Sequence, residues 1–380
     1  MAAPTADVLI VGGGLAGALL ALELRRRDAR VMVVEAEPGP QALSATALSY
    51  GAIPGWPLAN SPLARAAAAA AWRWRDLQHG HGDLGWRPVC ARLLGGAPGP
   101  GLLARFGLLP MSQVDPAVLL DRLPAVLTAA GVQLRPGRVL RLDPGPGRGG
   151  SGGWRVSLSD GLAEAAEQLV LAAGAGCRRL WPGLPPTLQR SWAGVLELPS
   201  VAPPRRWGRS ELLLPGRFNR LALERRSQEL AAAAWVVDAG LVPRSGGSLL
   251  GQLSWIAAAC DAEAAAPVPA QAEVWLREAL LAADPLLAGL VPLQGARYRQ
   301  VPVAFCRDGR PLATAVARAP GLWLFSGFSG GFAQVPVLAP LLAAAITAEG
   351  ATAGVRADLA TRELQRLGVW SGLPSSSAAG

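Results

Sequence analysis

The chain has 380 residues, 51% of them apolar, and 36 basic residues against 27 acidic ones give it a net charge of +9. That length allows two domains or one large α/β unit. The lack of a long apolar run free of glycine and proline excludes a helical membrane span. Four scattered cysteines without a CxxC pair suit free thiols in a reducing compartment. Every Lys/Arg position is arginine, and the arginines are spread along the chain. The charge therefore reads as solvated faces from a GC-rich composition, and nucleic acid is an unfavoured partner. No basic region precedes an apolar stretch at the N-terminus, so a cytoplasmic protein without a signal peptide is expected.

In chain order, Val8 to Val11 reads as a buried strand running into Gly12-Gly13-Gly14-Leu15-Ala16-Gly17. A helix follows, then a second strand from Val31 to Val34 closed by Glu35. Gly12 allows the tight turn, Gly14 lets a pyrophosphate approach the backbone, and Gly17 lets the helix sit close on the sheet. The helix start offers N–H groups to phosphates, and Glu35 can accept from a ribose diol. This strand, turn, helix, strand and acid together predict a bound adenine dinucleotide.

Downstream, the stretch from Asn60 to about Gly80 reads as one helix, capped by Asn60 or Ser61 with Pro62 at its first position. Short strand-like pieces lie in 86–110, and Asp115-Pro116 opens a helix to about 130 in which Pro124 predicts a kink or early stop. Strands are expected at 137–142, 153–158 and 167–172, the last ending in Ala172-Ala173-Gly174. From 190 to 300, segments such as ELLLPGRFNRLALE and GSLLGQLSWIA read as antiparallel strands, followed by an amphipathic helix beginning PAQAEVW. Gly327-Phe328-Ser329-Gly330-Gly331-Phe332 then forms a second glycine turn between a strand and a helix. A last helix spans about 353–367, and 371–380 reads as a disordered tail. The expected fold is α/β (α+β), a Rossmann-like dinucleotide domain (1–50, 112–190 and 305–370) interleaved with an antiparallel-sheet substrate domain (51–111 and 191–304).

The order and spacing of DVLIVGGGLAGALLALEL, SATALSYGAI, VDPAVLLDRLPAVLTAAGVQL, LVLAAGAG, DGRPL and GLWLFSGFSGGFAQVPVLAP resemble the FAD-dependent oxidoreductases of the D-amino-acid-oxidase-like superfamily, in its glycine- and sarcosine-oxidase branch. The resemblance covers nearly the whole length and is weakest over 195–295. It implies noncovalent FAD, with Gly12, Gly14, Leu15, Ala16 and Gly17 at the diphosphate, Glu35 at the ribose, and Ser44 and Thr46 nearby. It further implies Val139 at the adenine, Ala173 and Gly174 along the cofactor, and Gly327, Ser329, Gly330, Gly331 and Phe332 at the pyrimidine side of the flavin. The substrate it implies is a small amine or amino acid oxidised at its C–N bond, with oxygen or a carrier as electron acceptor. Alternatives are a flavoprotein modifying tRNA, which would need arginines clustered near the site, and a flavin-binding protein with weakened catalysis.

Three departures stand out. The late turn is one residue shorter than the family's, the chain has no lysine to assist oxygen at the flavin, and Val303 or Ala304 occupies the usual place of the carboxylate-binding arginine. Arg297, Arg299 and Arg307 lie nearby; Arg299 is taken as the clamp because a guanidinium fork matches a carboxylate. Tyr50, beside the loop expected near the flavin, is the other candidate catalytic residue. Cys306 reads as a buried thiol, and the two histidines, His79 and His81, lack the partners a metal site needs.

Overall fold

The computed structural model describes residues 6–38, 43–94, 108–147, 152–199, 211–258, 266–290, 295–347 and 351–370. The expected tail at 371–380 and Cys260 lie outside the described residues. The strands are β1 (Ala6–Val11), β2 (Val31–Glu35), β3 (Ala52–Pro54), β4 (Trp86–Leu94), β5 (Leu109–Val114), β6 (Gln133–Pro136), β7 (Val139–Pro146), β8 (Gly152–Leu158), β9 (Ala163–Leu171), β10 (Leu188–Leu198), β11 (Leu212–Pro215), β12 (Ala234–Val237), β13 (Leu241–Arg244), β14 (Gly247–Ile256), β15 (Arg297–Cys306), β16 (Leu312–Ala315) and β17 (Leu322–Ser326). The helices are α1 (Leu15–Arg25), α2 (Pro62–Ala67), α3 (Ala70–His81), α4 (Pro116–Ala129), α5 (Cys177–Leu180), α6 (Asn219–Arg225), α7 (Pro269–Ala283), α8 (Pro285–Ala288), α9 (Gly331–Ile346) and α10 (Ala351–Arg366).

One sheet runs β16-β17-β9-β1-β2-β6, with the β7–β8 hairpin joined to β9 through β8. Its strands from β17 to β6 are parallel, while β16 is antiparallel. The second sheet runs β15-β10-β14-β13-β11-β4-β5-β3 with β12 on β14, and is antiparallel except at β11–β4. The architecture is thus mixed α/β, a parallel Rossmann-like sheet beside a largely antiparallel one.

Strand alternation places the first sheet between two layers. Val8 and Ile10 of β1 face one core with Leu20 and Leu24 of α1 and Leu338 and Leu342 of α9. Leu9 and Val11 face the other, with Leu142, Trp154 and Val156 of the hairpin. Being buried on both faces, β1 needs a continuous apolar run, and each such side chain contributes about 1.5–3 kcal/mol on burial.

α9 contains Pro336, which removes the N–H that would bond to the carbonyl of Phe332 four residues earlier. Trp74 Nε1 donates to that carbonyl at 2.7 Å, and its ring stacks on Phe332 with centroids 5.9 Å apart. The indole thus satisfies a buried acceptor created by the proline. Trp74→Phe keeps an aromatic ring but deletes the N–H and orphans the carbonyl; we expect a loss of about 1–3 kcal/mol or more, read by denaturant unfolding.

Local readings depart from the structure in three places. The helix expected from Asn60 is two helices, α2 and α3, with Ser61 as the cap through Ala64 N–H at 3.1 Å. The split lets α2 line a cavity while α3 buries Trp74 in the core. α4 runs through Pro124 to Ala129 without an early stop, held by the buried face of Leu119, Leu123, Val126 and Leu127 and capped by Asp115. In ELLLPGRFNRLALE only the first half is a strand. The rest is α6, because the buried Asp238 carboxylate accepts from the N–H groups of Asn219 (2.7 Å) and Arg220 (3.2 Å) at the helix start.

Candidate active site

The first glycine turn is built by close approach. Gly12 has φ +105° and donates to Val34 O at 2.8 Å; a Cβ there would lie 2.6 Å from Ala172 O. A Cβ at Gly17 would sit 1.9 Å from Gly12 O, so α1 rests directly on the turn. Gly14 caps α1 without a side-chain hydrogen bond, and Thr46 Oγ1 accepts from Leu15 N–H at 3.3 Å. Glu35 accepts from Gly13 N–H at 2.5 Å through one oxygen and from Glu37 N–H at 3.0 Å through the other. Ser44 accepts from Ala47 N–H at 3.1 Å and so closes its own loop.

The second turn meets the first. After β17, Gly327 has φ +83°, and a Cβ there would lie 2.4 Å from Cys306 Sγ. Gly330 caps α9, its own N–H donating to Gln334 Oε1 at 3.3 Å, and the Cβ position of Gly331 is 3.4 Å from Leu15 Cδ2. The starts of α1 and α9 therefore touch across more than 300 residues of chain. Ala173 and Gly174 (φ +53°) follow β9, and Ser326 Oγ reaches Gly174 O at 3.5 Å.

These segments surround one cavity of about 1540 Å³. Its wall takes in Gly12, Gly14, Leu15, Ala16, Glu35, Ser44, Thr46, Val139, Ala173, Gly174, and Gly327 to Phe332; Gly17 lies beneath it. Ligand pockets commonly span about 300–1,000 Å³, so this cavity has room for a large cofactor and a smaller molecule. The fit to FAD is physical. Two helix starts present N–H groups and partial positive charge to anionic parts of a ligand, and a Cβ at Gly174 or Gly330, both in the cavity wall, would project into open space.

The two candidate catalytic residues are placed differently. Tyr50 lines the cavity, but its hydroxyl donates to Gly251 O, leaving its ring to face the space. Burial, with Asp238 nearby, pushes that hydroxyl well above the usual phenol range. Arg299 is not brought to the cavity: its side chain is 43% exposed and pairs with Glu197 at 3.1 Å. Burial works to raise Glu197, yet hydrogen bonds from Arg299 and Arg244 hold it below its ordinary value.

A residue that the sequence reading missed does reach the cavity. Arg220 of α6 lines it, is 15% exposed, and donates to Ser329 O in the second glycine turn at 2.7 Å. Glu224, one turn on and 3% exposed, lies 3.6 Å from Arg220 Nε. Burial raises the carboxyls of Glu224 and Asp238, opposed by the Arg220 charge and, at Asp238, by backbone N–H groups. Arg307 also lines the cavity, beside Val303 and Ala304.

Cys306 is 2% exposed beneath Gly327, and burial pushes its thiol up to about 12; Cys177, fully buried, is pushed up to about 11. Their thiolates are scarce at neutral pH. We expect iodoacetamide to label the half-buried Cys90 in the native protein and to reach Cys177 and Cys306 only after unfolding, as read by peptide mass mapping. Among the described residues no group of three or more His, Cys, Asp or Glu side chains could hold a metal ion, and no helix is long and apolar enough to cross a membrane.

Two glycine turns close on one cavity of a mixed α/β fold that pairs a parallel Rossmann-like sheet with a largely antiparallel one. The description "FAD dependent oxidoreductase" (DAO) matches residues 7–108 and 97–345, and the chain belongs to that family. No curated protein matches the chain. Among solved structures it resembles glycine oxidase from Geobacillus kaustophilus (20% identity, TM-score 0.60, covering 90% of this chain and 94% of that one). It also resembles iminodiacetate oxidase from Chelativorans sp. BNC1 (21%, 0.61, 90% and 96%) and L-proline dehydrogenase from P. horikoshii (14%, 0.61, 91% and 94%). At these identities the likeness is one of fold.

Proposed function

We propose that the protein binds FAD noncovalently and oxidises the C–N bond of a small amino acid or N-substituted glycine. The observation that carries this reading is Arg220. It places a guanidinium in the wall of the cavity, tied to the same turn that closes the flavin end. FAD, when bound, supplies the hydride acceptor at its N5. Gly12 to Gly17 hold the diphosphate, Glu35 the ribose, Val139 the adenine, and Gly327 to Phe332 the pyrimidine edge. Ser44 and Thr46 shape the loop over the diphosphate, with Thr46 pinned to the start of α1.

The substrate side needs a cation for the carboxylate and a position that presents a C–H bond to the ring. Arg220 supplies the cation in place of Arg299. Its remaining guanidinium donors form the fork that suits two carboxylate oxygens. Glu224 and the Asp238-capped start of α6 fix the direction in which Arg220 points. Tyr50 gives a ring face and keeps its hydroxyl out of the chemistry. The names of the neighbouring structures, oxidases of glycine and iminodiacetate and a proline dehydrogenase, support an amino-acid substrate. If the substrate C–H bond breaks as the flavin is reduced, deuterium at that carbon slows anaerobic flavin reduction several-fold. An unchanged rate in stopped flow would argue against hydride transfer as the reducing step.

A second reading is favoured by one observation. Arg179, Arg217, Arg225 and Arg307 line the cavity and have no side-chain hydrogen-bond or ion-pair partner among the described residues. That supply of cations would also suit an RNA substrate. Retention of tRNA that falls steeply with salt would favour it; no retention at low salt would remove it.

A further inference from the structure

Beyond the glycine turns the cavity continues onto the second sheet, and there its wall changes character. Tyr50, Trp56, Leu93, Met111, Leu214 and Phe218 line that part. Met111 and Leu214 belong to a core cluster on which Tyr50, Trp56 and Leu93 pack. Polar groups behind this wall are already engaged. The Tyr50 hydroxyl donates to Gly251 O, while the Gln113 amide donates to Pro243 O at 2.7 Å and accepts from Arg87 at 2.9 Å. Apart from Arg217, which lines the cavity between Leu214 and Phe218, a group placed here meets carbon.

The wall also lies beside the cation. Leu214 and Phe218 lie six and two residues before Arg220 in the chain, and Gly240, two residues after the Asp238 that caps the helix carrying Arg220, packs on Tyr50, where a Cβ would lie 3.2 Å from Cε2 of the ring. One molecule can therefore hold a carboxylate at Arg220 and an apolar group against this wall, within the same cavity. Pockets of this kind select by apolar area once a few polar groups have fixed orientation.

We propose that this wall is a side-chain subsite, and that the preferred substrate bears an apolar group of several carbons beside its amine and carboxylate. This rests on the function proposed above and narrows it. The apolar group can be attached at the α-carbon or at the nitrogen, and the wall would receive either.

The test uses the flavin-loaded protein and carboxylates that cannot be oxidised: acetate, butyrate, hexanoate and phenylacetate. Binding is read from the shift of the flavin absorbance and from calorimetry. Affinity is expected to rise about fourfold for each added methylene. Leu93→Gln and Trp56→Ser, both at partly buried positions, are expected to flatten that slope. A flat series in the wild type, or a slope unchanged in both variants, would overturn the subsite. In the amine arm, norleucine and N-butylglycine are compared with glycine and sarcosine under nitrogen. Tighter reduction by norleucine puts the group on the α-carbon, and by N-butylglycine on the nitrogen. Preference for glycine or sarcosine over both overturns the proposal. A steep carboxylate series with no reduction by any amine leaves the subsite standing and removes the proposed reaction.

Discussion

Gly17→Val yields a protein that does not retain flavin and is destabilised by about 3 kcal/mol or more. The cause is distance. A Cβ at residue 17 would lie 1.9 Å from Gly12 O and 3.1 Å from Ile10 Cγ2, so neither the turn nor β1 can yield without moving the other. Lifting α1 would open the core it shares with α9 and separate the two glycine turns. Gly14→Ala is the control for folding. Gly14 has φ −66°, open to any residue, and its Cβ would lie 3.3 Å from Thr46 Oγ1. The alanine variant should fold with near wild-type thermal stability and hold flavin more weakly, because the added methyl intrudes on the proposed diphosphate site. Gel filtration with the flavin and protein bands followed together reads both results. Full flavin retention by Gly17→Val would contradict the assignment of this turn.

The second large effect is at Arg220. Arg220→Ala should weaken amino-acid binding about a hundredfold or more, the range seen when one partner of a desolvated charge pair is truncated. It should also cost about 3–5 kcal/mol of stability, because Glu224 would be left buried without its cation. Two further variants separate these effects. Arg220→Met with Glu224→Leu removes both charges and should recover much of the stability while binding stays lost. Arg220→Lys keeps the charge but loses the planar fork, and should bind carboxylates weakly. Arg299→Ala is the contrast. Its exposed pair with Glu197 is worth roughly 0–1 kcal/mol, so binding and anaerobic flavin reduction should stay near wild type. Loss of binding in Arg299→Ala with retention in Arg220→Ala would return the clamp to β15.

How much of this was legible in the sequence follows from how local each signal is. β1, the first glycine turn, α1, β2 and Glu35 are contiguous, and each has a periodicity or a glycine requirement visible within a few residues. The second glycine turn could be read for the same reason. That the two turns touch at Gly331 and Leu15 could not, since it depends on how α9 packs on α1. Arg220 was hidden because its segment alternates like a strand, and the group that makes it a helix, Asp238, lies 18 residues away. Only the Arg220–Glu224 spacing of one helical turn gave a local hint. Arg299 looked suitable from its place on a strand near the DGRP turn. Its pairing with Glu197 on β10 is fixed by sheet register, which a single strand does not reveal. The role of Trp74 as donor to Phe332 O likewise appears only when Pro336 and α3 are seen together.

The most direct test of the central claim is anaerobic titration of the purified protein with amino acids and N-substituted glycines. The account predicts a protein that is yellow as isolated, releases its flavin on denaturation, and is bleached by at least one of these compounds with an equal amount of carbonyl product formed. A protein isolated without flavin and unable to take it up, or a bound flavin that no amine or amino acid reduces, would contradict it.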